Sequence, residues 1–320
     1  VLDNLLPQPA WQPIERATKI NITAPKPSKK VKTKHTVHVC LPDPQIGYRV
    51  LNGEKDPFHD EHAMGVALQI VNYLEETDRV DSVINLGDFL DLPAQGRFEQ
   101  EPAFANTTQL AFDRGHLFLQ EQRAAAGPDA TIVLIEGNHD RRMEKFIQTN
   151  AISAFGLKKA NTDSLPVMSI PYLLRLDELG VDYIDAYPAG AHWITDQLRA
   201  IHGNKARSNG STAAAYTNDT PHISTIFGHA HRLEIQSRTV FDRNGKIKSM
   251  AISPGCLCRV DGAVPSVNGS TKVDGTPATY YENWQQGIAV VTVDQDDKFH
   301  VDLVQIEDGV AWFRGRKFIA

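Results

Sequence analysis

Short runs of apolar residues recur along the chain, each ended by glycine or proline and a cluster of polar side chains. Residues 37–41, 82–86, 132–135 and 223–227 form such runs, and they read as strands of a buried sheet. Between the first two, Ala63, Ala67, Ile70, Val71 and Leu74 recur on one helical face behind a capping Asp60, which predicts a helix over 60–77. Strand, polar turn, helix, strand, polar turn is the grammar of a βαβ unit. Phe104, Thr108, Ala111, Phe112, Gly115 and Phe118 or Leu119 give a second helical stripe, and 143–154 and 172–179 suggest two more helices. These make a helical excursion over 92–180 whose stripes look fit for burial against the sheet. Residues 48–57 read as a looser segment, 183–186 and 193–201 as strands, and 212–216 as a short helix. Beyond them, 238–242, 248–252, 287–293 and 300–305 are short alternating or β-branched runs with turn signals such as Asn244-Gly245, predicting mostly antiparallel sheet.

At 320 residues and 41% apolar content the chain can bury a large core, and it is read as an α/β protein. No apolar run approaches the eighteen residues needed to span a bilayer, so no membrane partner is expected. Residues 1–35 carry seven Lys or Arg against Asp3 and Glu15, a net +5, so the remainder carries −11 to give the overall −6. We read 1–34 as an extended Pro/Lys-rich arm and 35–320 as a single domain. So acidic a body does not suit a protein that holds a long duplex on a broad basic face. It suits a site of carboxylates partly neutralised by metal ions. Cys40 lies in an apolar run, and Cys256 and Cys258 have no second pair to complete a zinc site. A reducing compartment follows, and with no basic-then-apolar leader the expected location is cytoplasmic.

The polar groups at the strand ends are Asp43, Gln45, Asp88, Asn138, His202, His229 and His231. This set is oxygen and imidazole donors without thiolate, which suits Mn²⁺, Fe²⁺, Zn²⁺ or Co²⁺. Seven donors exceed one ion's needs, and a carboxylate can bridge two. Paired cations about 3.5–4 Å apart serve phosphate chemistry, because they neutralise phosphoryl oxygens and acidify a shared water.

Asp43-Pro44-Gln45, Gly87-Asp88-Phe89-Leu90-Asp91, Gly137-Asn138-His139-Asp140, His202-Gly203 and Gly228-His229-Ala230-His231 resemble, in order, the motif series of the calcineurin-like metallophosphoesterases. The resemblance covers residues 36–305 and its style is similar to phage and bacterial members described as DNA-repair-exonuclease-like. It implies a four-layer αββα sandwich of two mixed sheets flanked by helices, working in the cytoplasm (the host's, for a phage-encoded chain). It implies that Asp43, Gln45, Asp88 and His231 hold one ion, and that Asp88 bridges to a second held by Asn138, His202 and His229. His139 would then stabilise the phosphoryl group and protonate the leaving oxygen, oriented by Asp91, while Asp140 ties down the turn.

Two departures shape the expected substrate and metal. The family has His where this chain has Gln45, a weaker donor that shifts preference toward Mn²⁺, with Fe, Zn, Co or Ni as alternatives. Protein phosphatases of the superfamily have Arg after the second Asp of the Gly-Asp motif, whereas this chain has Leu92. The expected activity is therefore phosphodiester hydrolysis, first of DNA or RNA. The alternatives are a cyclic or small nucleotide, a phosphomonoester, a lipid-linked pyrophosphate, or a non-catalytic binding module. Among nearby cations (Arg97, Arg141, Arg142 and Lys145), Arg141 and Arg142 are the candidate substrate contacts, with a helix-surface salt bridge as the plainer alternative. Trp284 or Tyr281 could stack on a base or simply pack. Oligomeric state is left unassigned.

Overall fold

The computed structural model describes residues 34–96, 100–162, 164–207, 210–243, 245–265 and 282–320. The Pro/Lys-rich arm through residue 33, Arg97, Asn244 and Tyr281 lie outside them. Apolar side chains leave water in two directions from one central sheet, so its strands read as continuous hydrophobic runs.

The elements run in order as β1 (His35–Leu41), β2 (Tyr48–Leu51), β3 (Glu54–Pro57), α1 (Glu61–Thr77), β4 (Ser82–Asn85), α2 (Thr108–Ala126) and β5 (Thr131–Ile135). There follow α3 (Arg142–Asn150), α4 (Ile170–Leu173), α5 (Leu176–Leu179), β6 (Val181–Ile184), β7 (Ala191–Thr195), β8 (Leu198–Ile201), α6 (Thr212–Asp219) and β9 (Ser224–Phe227). The chain closes with β10 (Leu233–Asp242), β11 (Gly245–Pro254), β12 (Gln286–Asp294), β13 (Phe299–Glu307), β14 (Val310–Phe313) and β15 (Arg316–Ile319).

Two large mixed sheets result, one of eight strands ordered β15-β14-β13-β12-β1-β4-β5-β6 and one of five ordered β10-β11-β9-β8-β7. In the first, β1, β4, β5 and β6 are mutually parallel, and β12 joins β1 antiparallel. In the second, β8, β9 and β11 are parallel neighbours. Val39, Val83, Ile132 and Leu134 on one face of the larger sheet meet Ala67, Ile70 and Leu74 of α1 and Phe118 and Leu119 of α2. Cys40, Ile84, Val133 and Ala289 on the other face meet Leu198, Ala200, Ile226 and Ile252 of the smaller sheet. The smaller sheet's outer side carries Phe227 and Ala251 against Ala213 and Tyr216 of α6. Among the described residues no helix is long and apolar enough to cross a membrane.

Several local expectations need correction. The looser segment over 48–57 is a β2–β3 hairpin turning at Asn52 and Gly53, both at positive φ. The stretch 193–201 is not one strand, because β7 and β8 pair as a hairpin after Thr195 Oγ1 accepts the Gln197 and Leu198 amides. The helix over 172–179 is broken at Arg175, which takes left-handed φ of 58°. The β14–β15 hairpin also had no counterpart in the sequence reading. Finally, the apolar stripes of the excursion are buried in α2 and only in part beyond it, through Met143, Ile147, Leu174 and Leu176. Phe146 of α3, a helix whose buried residues are Met143 and Ile147, is exposed, and so are Ile152, Phe155, Leu157 and Met168 after that helix.

His38 on β1 shows how burial couples to pH. Its ring lies between Ser82 Oγ, 2.8 Å from Nδ1, and Thr36 Oγ1, 2.9 Å from Nε2. Burial lowers its pKa from 6.5 to about 4, against the pull of Asp81 and helped by His192. The unfolded chain therefore binds this proton near pH 6.5 and the folded chain only near 4. The contribution of His38 to stability is flat above pH 6.5 and falls as pH drops through the interval, by up to about 1.4 kcal/mol per unit. Urea unfolding of His38→Gln should lose roughly 2 kcal/mol less than wild type between pH 7.5 and 5. An identical loss would remove His38 from the account.

Candidate metal centre

Five polar turns meet where the parallel strands of both sheets end. β1 delivers Asp43 and Gln45, β4 delivers Asp88, β5 delivers Asn138 and His139, β8 delivers His202, and β9 delivers His229 and His231. Open α/β sheets offer their ligand crevice at this end. All seven expected donors are buried except Asn138 and His229, which are half-buried.

The turns converge because glycine lets backbone approach side chain. A Cβ on Gly137 would lie 2.1 Å from Asp88 N and 2.2 Å from Asp88 Oδ1, and one on Gly228 would lie 2.5 Å from Asp43 Oδ2. Gly137→Ala should therefore force Asp88 aside and weaken any divalent ion held there, probed with Mn²⁺, by at least about tenfold, the scale on which support for a metal ligand is felt. Mn²⁺ titration followed by electron paramagnetic resonance reads this directly, and unchanged affinity would contradict it. Asp140 accepts the Phe89, Leu90 and Gly137 amides at 3.2, 2.9 and 2.9 Å, locking the β4 and β5 turns together.

Five of the seven donors sit at left-handed φ: Asp43 at 39°, Gln45 at 45°, Asp88 at 44°, His229 at 65° and His231 at 54°. Each such residue costs roughly 1 kcal/mol or more, and strain of this kind concentrates at functional sites. Asp88, His202 and His229 bring ligating atoms within 4.8 Å of one another, and so do Asp43, Asp88 and His231. Asp88 belongs to both groups. His202 Nε2 lies 3.3 Å from Asp88 Oδ1 and 3.1 Å from Asn138 Oδ1, while its Nδ1 donates to the Leu86 carbonyl at 2.8 Å. His231 Nε2 lies 3.4 Å from Asp43 Oδ1 and 3.2 Å from the Gln45 amide nitrogen.

The charged groups of the site are tightly interdependent. Burial alone would push Asp88 up, but His139, His202 and His229 around it hold it well below the usual carboxylate range. Burial works against a charged His202, yet Asp88 and then Asp43 lift it to about 9. Burial, reinforced by His202, takes His229 down to about 4, so it stays a neutral imidazole. Gln45 Oε1 and His229 Nδ1 are buried with no hydrogen-bond partner. Unpartnered lone-pair atoms among buried carboxylates fit a divalent ion, so the donor set passes that test.

His139 stands beside the donors rather than among them. Asp91 Oδ1 lies 3.0 Å from its Nδ1, and its backbone N–H donates to Asp88 Oδ1 at 2.8 Å. Arg142 Nη1 bonds Asp91 Oδ1 at 2.6 Å, and Arg142 Nη2 lies 3.0 Å from His139 Nε2. Arg141 points elsewhere, with Nη1 donating to the Tyr187 carbonyl at 2.5 Å and Glu136 3.8 Å away. Trp284 packs edge-on against His231, with ring centroids 4.2 Å apart. What the sequence reading missed is on the far side of that histidine: Cys256 and Cys258, with His231, form a third group of close ligating atoms. Their C-x-C spacing was visible, but His231 is distant in sequence.

No family model matches the chain, and no curated protein matches it.

Proposed function

We propose that the chain is a dinuclear-metal phosphodiester hydrolase of the calcineurin-like metallophosphoesterase kind, acting on nucleic acid. The observation that carries this is Asp88, the one carboxylate common to two donor groups built from different sheets. The packing of α1 and α2, the two sheets and α6 supports the four-layer sandwich that such a fold requires. Asp43, Gln45, Asp88 and His231 would hold one ion, and Asp88, Asn138, His202 and His229 the other. When bound, such ions neutralise phosphoryl oxygens and lower the pKa of a water.

The remaining chemistry belongs to His139. With Nδ1 turned to Asp91, Nε2 accepts from Arg142 Nη2 at 3.0 Å, and it would hold a proton for the leaving oxygen once that guanidinium turns to a bound phosphoryl oxygen. Arg142 places a guanidinium beside that nitrogen, where it favours a bound phosphoryl oxygen. Arg141 turns Nη1 to the Tyr187 carbonyl, with Glu136 3.8 Å away, and acts as a positioning residue for the turn.

The test is hydrolysis of single-stranded DNA, duplex DNA, RNA, cyclic nucleotides, bis-p-nitrophenyl phosphate and p-nitrophenyl phosphate with Mn²⁺, Fe²⁺, Zn²⁺, Co²⁺ or Ni²⁺. We expect Mn²⁺-dependent cleavage of diesters, nucleic acid foremost. No turnover with any ion would leave a binding module, and monoester turnover alone would remove the diester assignment. Gln45→His should move preference from Mn²⁺ toward Zn²⁺ by roughly tenfold, since imidazole is the better zinc donor. Two tightly held zinc ions in wild type, with no Mn²⁺ stimulation, would count against that.

One observation favours a second reading. A cavity of about 310 Å³ behind the central turn is lined by Met143, Ile147, Phe155, Leu165 and Met168, next to the exposed Ile152 and Leu157. An apolar chain on the phosphoester would find a surface there, so a lipid-linked pyrophosphate belongs in the panel.

A further inference from the structure

Beside the Asp88 group lies a set of donors that phosphoester chemistry leaves unused. After β11 the chain turns at Gly255 (φ 91°) and bends at Leu257, pinned on either side by bridges from Cys256 to Gln286 and from Cys258 to His59. Both cysteine side chains join the small cluster with Phe58, Phe104 and Val264, whereas Leu257 between them joins the main core. Both thiols are free and fully buried. Facing them is His231, whose ligating atom lies within 4.8 Å of both sulfurs. Cys258 Sγ is 4.0 Å from His231 Nδ1, and Cys256 Sγ rests 3.6 Å from the Gln285 carbonyl. The opposite ring nitrogen, Nε2, faces Asp43 at 3.4 Å. One imidazole therefore has carboxylate and amide on one edge and two thiols on the other.

Softness sorts ions between such edges: oxygen-rich groups take Mn²⁺, while paired thiolates take Zn²⁺, Cd²⁺ or Cu⁺. We infer that Cys256, Cys258 and His231 Nδ1 bind a thiophilic cation, at a site joined to the Asp88 centre through one histidine ring. On binding, the two thiol protons pass to solvent and the single proton of the neutral ring resides on Nε2, so the ion gains two thiolates and the Nδ1 lone pair with no change of oxidation state. A neutral imidazole offers one lone pair at a time. An ion on Nδ1 thus leaves N–H at Nε2, which donates to Asp43 instead of holding a second ion. The soft site opposes the hard one. This coupling rests on the metal-centre reading above, whereas thiophilic binding itself does not.

The full reduced chain, stripped of metal, is titrated with Cd²⁺ and followed by thiolate-to-metal charge-transfer absorption and ¹¹³Cd resonance. One equivalent should give the absorption and a sulfur-ligated resonance in wild type, in Cys40→Ala and in Asp88→Asn. The absorption should be lost in Cys256→Ser/Cys258→Ser. No absorption in wild type, or an undiminished one in the double variant, overturns the site. If the double variant fails to fold, the wild-type ¹¹³Cd resonance decides, and a position typical of oxygen and nitrogen ligands overturns it. One equivalent of Cu⁺, which oxygen donors hold poorly, should raise the apparent Mn²⁺ Kd at least tenfold in wild type. An unchanged Kd with the thiolates occupied removes the shared histidine. Absence of Mn²⁺ binding altogether would instead sink the phosphoesterase reading and leave the thiol site standing.

Discussion

Asp88→Asn should lower Mn²⁺-dependent phosphodiester hydrolysis by at least about 10³-fold, or about 4 kcal/mol of transition-state stabilisation. The change removes one negative charge where two donor groups meet, so both are crippled at once. It leaves volume and hydrogen bonding largely intact, because an Asn oxygen can still accept the His139 amide that Asp88 Oδ1 accepts at 2.8 Å. The folded chain should therefore survive without metal. Thermal unfolding separates the two effects. Mn²⁺ at 100 times its Kd should stabilise wild type by about 2.7 kcal/mol, whereas the variant should show almost no rise in Tm. A variant that keeps both the rise and the activity would show that the carboxylate does not link two ions.

His139→Ala should behave differently, because His139 is beside the donors and not one of them. Mn²⁺ binding should persist, while cleavage of a diester with a poor leaving group, such as a nucleotide, falls about 10²–10⁴-fold, the usual worth of a positioned general acid. Bis-p-nitrophenyl phosphate, whose leaving group departs without protonation, should lose much less. Equal losses on both substrates would assign His139 to charge stabilisation or binding instead. Asp91 does not become an isolated buried charge in this variant, since Arg142 Nη1 still reaches it at 2.6 Å. A large fall in stability is accordingly not expected.

The apolar runs that became β1, β4, β5 and β9 were legible because strands buried on both faces carry no polar alternation to confuse them. α1 was legible for a related reason: its stripe and its cap agree, with Asp60 accepting the His62 and Ala63 amides at 2.9 and 3.0 Å. Elements that depend on a single turn were not. Thr195 closing the β7–β8 turn and Arg175 breaking a helix are decisions made by one hydrogen bond or one dihedral, which composition averages away. The exposure of Phe146 and Ile152 within 143–154 was not legible, because an apolar stripe shows that a face wants cover, not that the fold supplies it.

By itself the sequence determined the inventory of the site: which oxygen and nitrogen donors exist, that each follows an apolar run, and which glycines stand between them. Those are local properties, written in a few adjacent residues. Only the tertiary structure decided that Asp88 stands within reach of His202, His229 and His231, that Arg142 rather than Arg141 reaches His139, and that His231 turns its other edge to Cys256 and Cys258. Such meetings join residues from different strands and different sheets. They follow from sheet order, strand register and the left-handed dihedrals of the turns, none of which any one segment contains.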